Sequence, residues 1–541
     1  MTGDHPGVLI VGAGPVGLTL ALLLARYGVR STVLDASSGE PVRRESRSCV
    51  LRPETAAFLP SGLVLQSARW HRWRTERRRQ TMQSLDLDSD HSPVHLSQHS
   101  LEAALREALS REHLARVVPH SHVDQVEQDD EGVRAHTRGG DGRWWRGAYL
   151  VGCDGARSTV RKLIGVRFAG RTSVERHAVA TLRVRLPWEE EALLHREMPG
   201  SGEEVLARPL PRGLWRLDWL LPPQGELVTP EALLERVRDS LSTWHGVDES
   251  ELPPYELLDT GVHVCHQRLA QRWRSGRVFL AGDAAHLVGA LGVQSVDEGI
   301  QDAANLAWKL SVALREPRSA RDEEALDTLL DSYERERRTT VGARLRAVDQ
   351  SLPLVRSERG LRVRLPGKTT RHHLSLLTDG HLGRGPMGAP ALYDRSPLAA
   401  GKHVLAQSVP VETQVGAPVV DVPVVAANGA RGRLRDWCGG PGGELLVLFT
   451  APGTGVWDSR HWLSAGLMPE LVSVVSSLPL RTGLLVTEEY PGAPAHSVLV
   501  IRADGHLVAA TAGVQAEALR DCVVALRGES LREEHRAVGS G

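Results

Sequence analysis

Val8-Leu9-Ile10-Val11-Gly12-Ala13-Gly14-Pro15-Val16-Gly17-Leu18 is the stretch that decides the fold. Gly7 to Val11 is a short apolar run of β character, Val16 to Tyr27 has helical periodicity, and Ser31 to Leu34 is β-like again. Strand, turn, helix and strand make one βαβ unit. Gly12, Gly14 and Gly17 stand where a Gly-x-Gly-x-x-Gly turn lets backbone approach a pyrophosphate, whose charge the following helix N-terminus favours. Asp35 ends the second strand 18 residues after Gly17, offering a carboxylate to ribose hydroxyls and disfavouring a 2′-phosphate. These residues specify a dinucleotide with a free ribose, without saying which one.

Working outward, a chain of 541 residues with 41% hydrophobic content is too long for one ordinary core, so two or three domains are expected. Lys and Arg number 65 against 66 Asp and Glu, a formal charge of -1. That balance removes the basic field needed for nucleic acid or an anionic membrane and leaves a small molecule as the expected partner. Cys49, Cys153, Cys265, Cys438 and Cys522 are dispersed and odd in number, which argues against a disulfide framework or a zinc site. A reducing, cytoplasmic compartment is the expectation. The apolar run from Val8 to Ala25 lacks a cationic leader and is broken by glycines, so it reads as neither an export signal nor a membrane span.

Composition divides the chain further. Residues 1–172 hold the opening unit and its scattered continuation, including a helix near Leu101 to Leu109 and a strand at Ala148 to Val151. Residues 173–275 turn β-rich between Pro-containing turns and read as an inserted domain facing the substrate. Residues 276–394 return to the first domain, with Ile300, Ala303, Ala307, Leu310 and Leu314 on one face of a long helix. Residues 395–541 form a separate module in which Pro, Gly and Val rise and helices are sparse. Arg69, Arg72, Arg74, Arg77, Arg78 and Arg79, interleaved with Trp70 and Trp73, read as an edge strand with solvated arginines rather than a phosphate-binding patch.

Three later segments carry a family resemblance, the third running from Gly292 to Leu310. Cys153-Asp154-Gly155-Ala156-Arg157-Ser158 followed by Val160-Arg161, and Gly276-Arg277-Val278-Phe279-Leu280-Ala281-Gly282-Asp283-Ala284-Ala285-His286, resemble the Asp-Gly and Gly-Asp motifs of the flavin-dependent aromatic hydroxylases typified by para-hydroxybenzoate hydroxylase. The resemblance implies FAD, with Gly282 and Asp283 at the ribityl chain and Asp154, Gly155 and Arg157 at the pyrophosphate and the nicotinamide approach. It also implies that Arg47 and Gln98 reach the cofactor, and that Gly292, Val296 and Asp297 open a helix aimed at the flavin ring. A helix N-terminus there would stabilise negative charge on the reduced ring. Here the chain departs from the family: Gly289-Ala290 replaces Pro-Pro, Gly292-Val293-Gln294-Ser295 replaces Gly-Gly-Gln-Gly, and Asp297 replaces Asn.

By the same resemblance, NADPH or NADH would reduce FAD, O2 would add to give a flavin C4a-hydroperoxide, and an electron-rich ring would attack it. The final module resembles the thioredoxin-like domain appended to phenol hydroxylase and to hydroxylases of aromatic polyketides, through Val498-Leu499-Val500-Ile501-Arg502-Ala503-Asp504-Gly505-His506. That points to a polycyclic phenol of antibiotic-type secondary metabolism. Trp437-Cys438-Gly439-Gly440-Pro441 lacks a second Cys, so no thiol chemistry is expected of it. The altered loop leaves open Baeyer-Villiger oxidation, dehydrogenation, oxidative rearrangement, or a flavin-binding partner protein. The implied fold is α/β: a Rossmann-type FAD-binding domain, a β-rich insertion and a thioredoxin-like C-terminal domain.

Two side-chain assignments stay divided at this level. Asp297 reads first as an N-cap of its helix, and second as a general base for a phenolic proton. Trp215, Leu217 and Trp219 alternate with Arg216 and Asp218, so they share one strand face, either a substrate-pocket wall above the flavin or a plain core face.

Overall fold

The computed structural model describes residues 7–39, 43–88, 92–138, 142–222, 228–289, 291, 294–315, 320–356, 368–453 and 466–529. Strand β1 (Val8–Val11), helix α1 (Pro15–Arg26) and strand β2 (Ser31–Leu34) form the opening unit. All four β1 side chains are buried, as a strand covered on both faces requires. The chain then adds β3 (Ala115–Val118) and β4 (Tyr149–Gly152) to this unit before leaving through the long β5 (Phe168–Arg183). Strands β6 (Leu214–Leu221) and β7 (Glu256–Ala270) belong to the insertion, and β8 (Val278–Leu280) brings the chain back. The parallel order is β8-β4-β1-β2-β3, with Arg274–Ser275 antiparallel at one edge. Helices α2 (Ser295–Arg315) and α3 (Ala320–Arg356) follow, α2 packing against both α1 and α3.

Among the described residues the inserted sheet has eight strands, and it is not confined to residues 173–275. It recruits the hairpin Arg72–Arg77 and Gln80–Asp86 at one end and His286–Leu287 at the other. This corrects the edge-strand expectation for the arginine-rich stretch. Strand Arg72–Arg77 is paired on both sides, to Glu191–Arg196 and to Gln80–Asp86, and the latter is the edge. Trp70 and Trp73 are fully buried, Trp73 stacking on His381, while Arg74 and Arg77 pair with Glu191 and Glu197. The alternation is that of an inner strand with an apolar face.

Beyond residue 395 the chain forms β9 (Leu445–Thr450), α4 (Met468–Ser477), β10 (Thr482–Thr487), β11 (Ser497–Arg502), β12 (Leu507–Ala512) and α5 (Ala516–Leu526). β9 and β10 are parallel, and β11 and β12 continue antiparallel on the other side of β9, which is the thioredoxin arrangement. Helix α4 is richer in Val and Ser than a free helix favours, and packing on the sheet overrides that propensity. Cys438 is buried ahead of β9, and burial pushes its thiol up to about 12. One continuous apolar core joins this domain to the parallel sheet. Buried ions tie the joint: Lys309 Nζ reaches Glu336 Oε2 at 2.7 Å, Arg502 Nη1 reaches Glu336 Oε1 at 2.7 Å, and Asn305 Nδ2 reaches Asp504 Oδ2 at 3.0 Å. No helix among the described residues is long and apolar enough to cross a membrane.

Candidate functional site

The carboxyl ends of β1, β4 and β8 open together onto a cavity of about 950 Å³, whose facing wall is the inserted sheet. Ligands of open α/β sheets bind in such a crevice. The three glycines of the first turn have separate duties there. Gly12 has φ 104°, and a Cβ on it would stand 2.5 Å from the Cys153 carbonyl oxygen; one on Gly17 would stand 2.0 Å from the Gly12 oxygen. Both positions are closed by backbone. A Cβ on Gly14 would meet nothing within 4 Å, and Gly14 lines the cavity. Gly14 also precedes α1 with no side-chain cap, which leaves the first-turn amides available to an anion.

Asp35 is half-buried beside the turn and accepts from the Ala13 N–H at 2.5 Å and the Ser37 N–H at 2.8 Å. Burial would raise its pKa, but these bonds, the Ser37 hydroxyl and the charge of Arg106 hold it below the ordinary carboxylate range. After β4, Asp154 Oδ2 accepts from Thr159 N at 2.7 Å and Val160 N at 3.0 Å, capping the short helix Thr159–Leu163. Its Oδ1 is buried with no hydrogen-bond partner among the described residues. Arg157 is exposed and stands outside the cavity lining, whereas Gly155 lines it. After β8, a Cβ on Gly282 would fall 2.8 Å from Val16 Cγ2, so the strand end, α1 and α2 press closely together. Asp283 lines the cavity; burial raises its pKa, partly offset by His286, Ser295 and Arg47. Arg47, Gln98 and Val296 line it too, Gln98 Nε2 donating to Glu102 at 2.8 Å. Gly292 lies outside the described residues.

Asp297 takes neither role read from the sequence. Helix α2 begins at Ser295, so Asp297 sits inside the first turn, fully buried and outside the cavity lining. Its Oδ1 accepts from the Arg52 N–H at 2.8 Å, and its Oδ2 from Arg52 Nε at 2.8 Å and Nη2 at 2.8 Å. The backbone amide and guanidinium of Arg52 thus hold both carboxylate oxygens, and the group lies outside the cavity where a substrate proton would be presented. Behind it, Glu298 pairs with Arg337 at 2.7 Å and also with Arg344, while Asp302 bridges His286 at 2.8 Å and Arg337 at 2.8 Å. The first turns of α2 are thus pinned by ions.

The substrate-pocket assignment of Trp215, Leu217 and Trp219 is also corrected. All three are buried on the far face of the inserted sheet, packed with Leu233, Val237 and Leu241 of helix Pro230–His245. Strand period puts their neighbours Arg216, Asp218 and Leu220 on the cavity wall. Asp218 pairs with Arg208 at 2.5 Å and Arg216 at 2.7 Å. Burial would raise its pKa, but the two guanidiniums hold it far below the carboxylate range. A second buried set follows: Arg356 holds Glu175 at 2.5 Å and also Glu204. Burial opposes ionisation of Glu204, yet Arg356 and Arg196 bring it down to about 2. Sequence reasoning missed this wall, although two charges alternating with buried tryptophans were the available signal.

Fold and cavity together define a dinucleotide-binding type of α/β scaffold with its ligand space between two sheets. The family described as FAD binding domain matches residues 6–348, and the chain belongs to it. Rifampicin monooxygenase of Streptomyces venezuelae is 32% identical over 345 residues, covering 61% of this chain and 67% of that protein. 6-Methylpretetramide 4-monooxygenase of Streptomyces rimosus is 34% identical over 356 residues, covering 63% and 60%. The chain thus spans about three-fifths of the second relative's length and two-thirds of the first's. Among solved structures, aklavinone-11 hydroxylase in ternary complex with FAD and aklavinone aligns with a TM-score of 0.70 at 22% identity, over 97% of this chain and 99% of that one. The anhydrotetracycline hydroxylase OxyS of Streptomyces rimosus aligns at 0.66 and 24%, over 97% and 100%. These two likenesses establish the fold along nearly the whole chain, C-terminal domain included. By kinship with its named relatives the chain is an FAD-dependent monooxygenase.

Proposed function

We propose that this chain hydroxylates a polycyclic phenol of the aromatic polyketide type, using O2 and NADPH or NADH. The observation that carries the reading is the convergence of three strand ends on one cavity with space left for a cofactor: Gly14 has room for a further atom where Gly12 and Gly17 have none, and Asp154 Oδ1 is buried with no hydrogen-bond partner among the described residues. The residues fit FAD. The first-turn amides of α1 would take the pyrophosphate, Asp35 the adenosine ribose, Arg47 and Gln98 neighbouring oxygens, and Asp283 the ribityl chain. Gly155 and Asp154 would border the pyrophosphate side, and the start of α2 near Val296 would supply partial positive charge beside the ring. Bound there, flavin supplies hydride acceptance from the nicotinamide and oxygen activation.

The protein's own part is positioning and charge management. The inserted sheet faces the strand ends across the cavity, lines it with Leu194, Leu206 and Leu220, and presents fixed ion pairs to a hydroxylated ring system. The names of the relatives and structural neighbours, which act on rifampicin, 6-methylpretetramide and aklavinone, support a large fused aromatic substrate. The test is direct. The purified protein should bind FAD, oxidise NADPH or NADH in the presence of a polycyclic phenol, and place one atom of labelled O2 in the product. Protein that stays colourless with added FAD, or that consumes reductant without labelling any phenol, would overturn the reading.

A further inference from the structure

The inserted sheet turns two histidines toward the cavity at one register position. His177 on β5 lies directly across from His263 on β7, and both line the cavity. Their surroundings pull in opposite directions. His177 Nε2 stands 3.5 Å from Glu175 Oε2, and Glu175 is anchored by Arg356, which also holds Glu204. Burial would lower the His177 pKa, but Cys265 on β7 and Glu175 outweigh it and raise it to about 9. His263 is brought down to about 4 by burial, by Arg216 on β6, by Arg47 and by His177 itself, against the charge of Asp218 on β6. One ring is cationic and its neighbour neutral. Titratable neighbours driven apart by their environments divide acid and base work.

We propose that His263 and His177 form an acid–base pair that ionises a phenolic or enolic hydroxyl of the substrate, His263 accepting the proton and His177 holding the oxyanion. The O–H bond breaks, an N–H bond forms on His263, and the electron pair stays on oxygen opposite the His177 imidazolium. The new negative charge gives both rings an anionic partner, which offsets the mutual repulsion that keeps His263 neutral beforehand. The ionised ring is more electron-rich, as oxygen transfer to an aromatic carbon requires. The pair supplies the proton acceptor that Asp297, held by Arg52, does not.

This inference rests on the phenol-hydroxylation reading, so its test reads ionisation and not turnover. The probe is 1,2-dihydroxyanthraquinone, whose visible spectrum reports its ionisation, titrated with pH on the FAD-loaded protein while flavin fluorescence follows its binding. The bound dye should ionise about one pH unit or more below the free dye, a tenfold stabilisation of the phenolate. His263→Asn and His177→Asn should each abolish the shift, and Glu175→Gln should reduce it, with retained FAD as the control for folding. Bound dye that ionises at the pH of free dye, or variants that keep the wild-type shift, would overturn the pair. Loss of FAD binding or of reduction by NADPH and NADH in the wild type would instead count against the monooxygenase reading.

Discussion

The glycine turn after β1 and the strand β6 both alternate between packing and ligand-facing positions, yet only one declares which is which. In the turn, Gly12 and Gly17 are closed by backbone and Gly14 opens on the cavity. In the strand, Trp215, Leu217 and Trp219 fill a core while Arg216 and Asp218 face the cavity. A missing side chain has meaning only where backbone comes close, so glycines at fixed spacing after a strand are specific. A tryptophan is equally at home in a core and above a flat ligand, so its face is settled by what packs on it. Here a helix covers one face and the cavity the other.

The sharpest way to break this contrast is to remove charge from the cavity face. Asp218→Ala leaves Arg208 and Arg216 buried and uncompensated, and should cost about 4 kcal/mol in chemical denaturation. An effect near zero would mean that water, not Asp218, solvates the guanidiniums. On the opposite face, Trp219→Phe loses volume in a fully buried site and the bond from its indole N–H to Ser240 Oγ at 3.2 Å. About 2 kcal/mol of stability should go, with the FAD affinity of the folded fraction unchanged. A change in affinity would place that face in the site after all.

In the turn, Gly14→Ala should leave the melting temperature of the FAD-free protein within a degree or two, because its Cβ meets nothing, yet weaken FAD about tenfold by filling the space beside the pyrophosphate. Gly17→Ala should destabilise the FAD-free protein itself, since its Cβ would collide with the Gly12 carbonyl. Calorimetry with and without FAD separates the two. Equal effects on both forms would dissolve the distinction between the glycines.

Most of the scaffold was legible because its signals are local. The βαβ opening, the strand ends before Asp154 and Asp283 and the β-rich insertion follow from periodicity and from motifs a few residues long. What was hidden depends on partners far away in sequence. Asp297 looked like a cap because Arg52, 245 residues away, is invisible from its neighbourhood. The hairpin Arg72–Asp86 joins a sheet whose other strands begin about a hundred residues later, so its arginines looked like an edge. The cavity face of the inserted sheet was missed for the same reason: Glu175 finds Arg356 only across 181 residues.

The smallest effect sharpens the comparison through pH, since the cavity walls formed by the inserted sheet and by helix Lys368–Leu382 carry strongly shifted ionisable groups. His381 and His263 have folded pKa values depressed to about 3 and about 4, below the ordinary 6.5. Their stabilisation is present above pH 6.5 and is lost as pH falls, because the unfolded chain takes protons the folded one refuses. Glu204, depressed from 4.5 to about 2, adds a second loss that starts below 4.5. His177 has the opposite sign: raised to about 9, it contributes fully below 6.5 and loses that contribution as pH rises through 9. Stability measured by denaturant titration should therefore peak near pH 6.5, with slopes of at most about 1.4 kcal/mol per pH unit for each group. Glu204→Gln should lower stability at pH 7 but flatten the limb below 4.5, and His177→Asn should flatten the alkaline limb. Limbs that keep their slopes in both variants would mean the ion pairs of the cavity face do not govern the acid and alkaline stability of the chain.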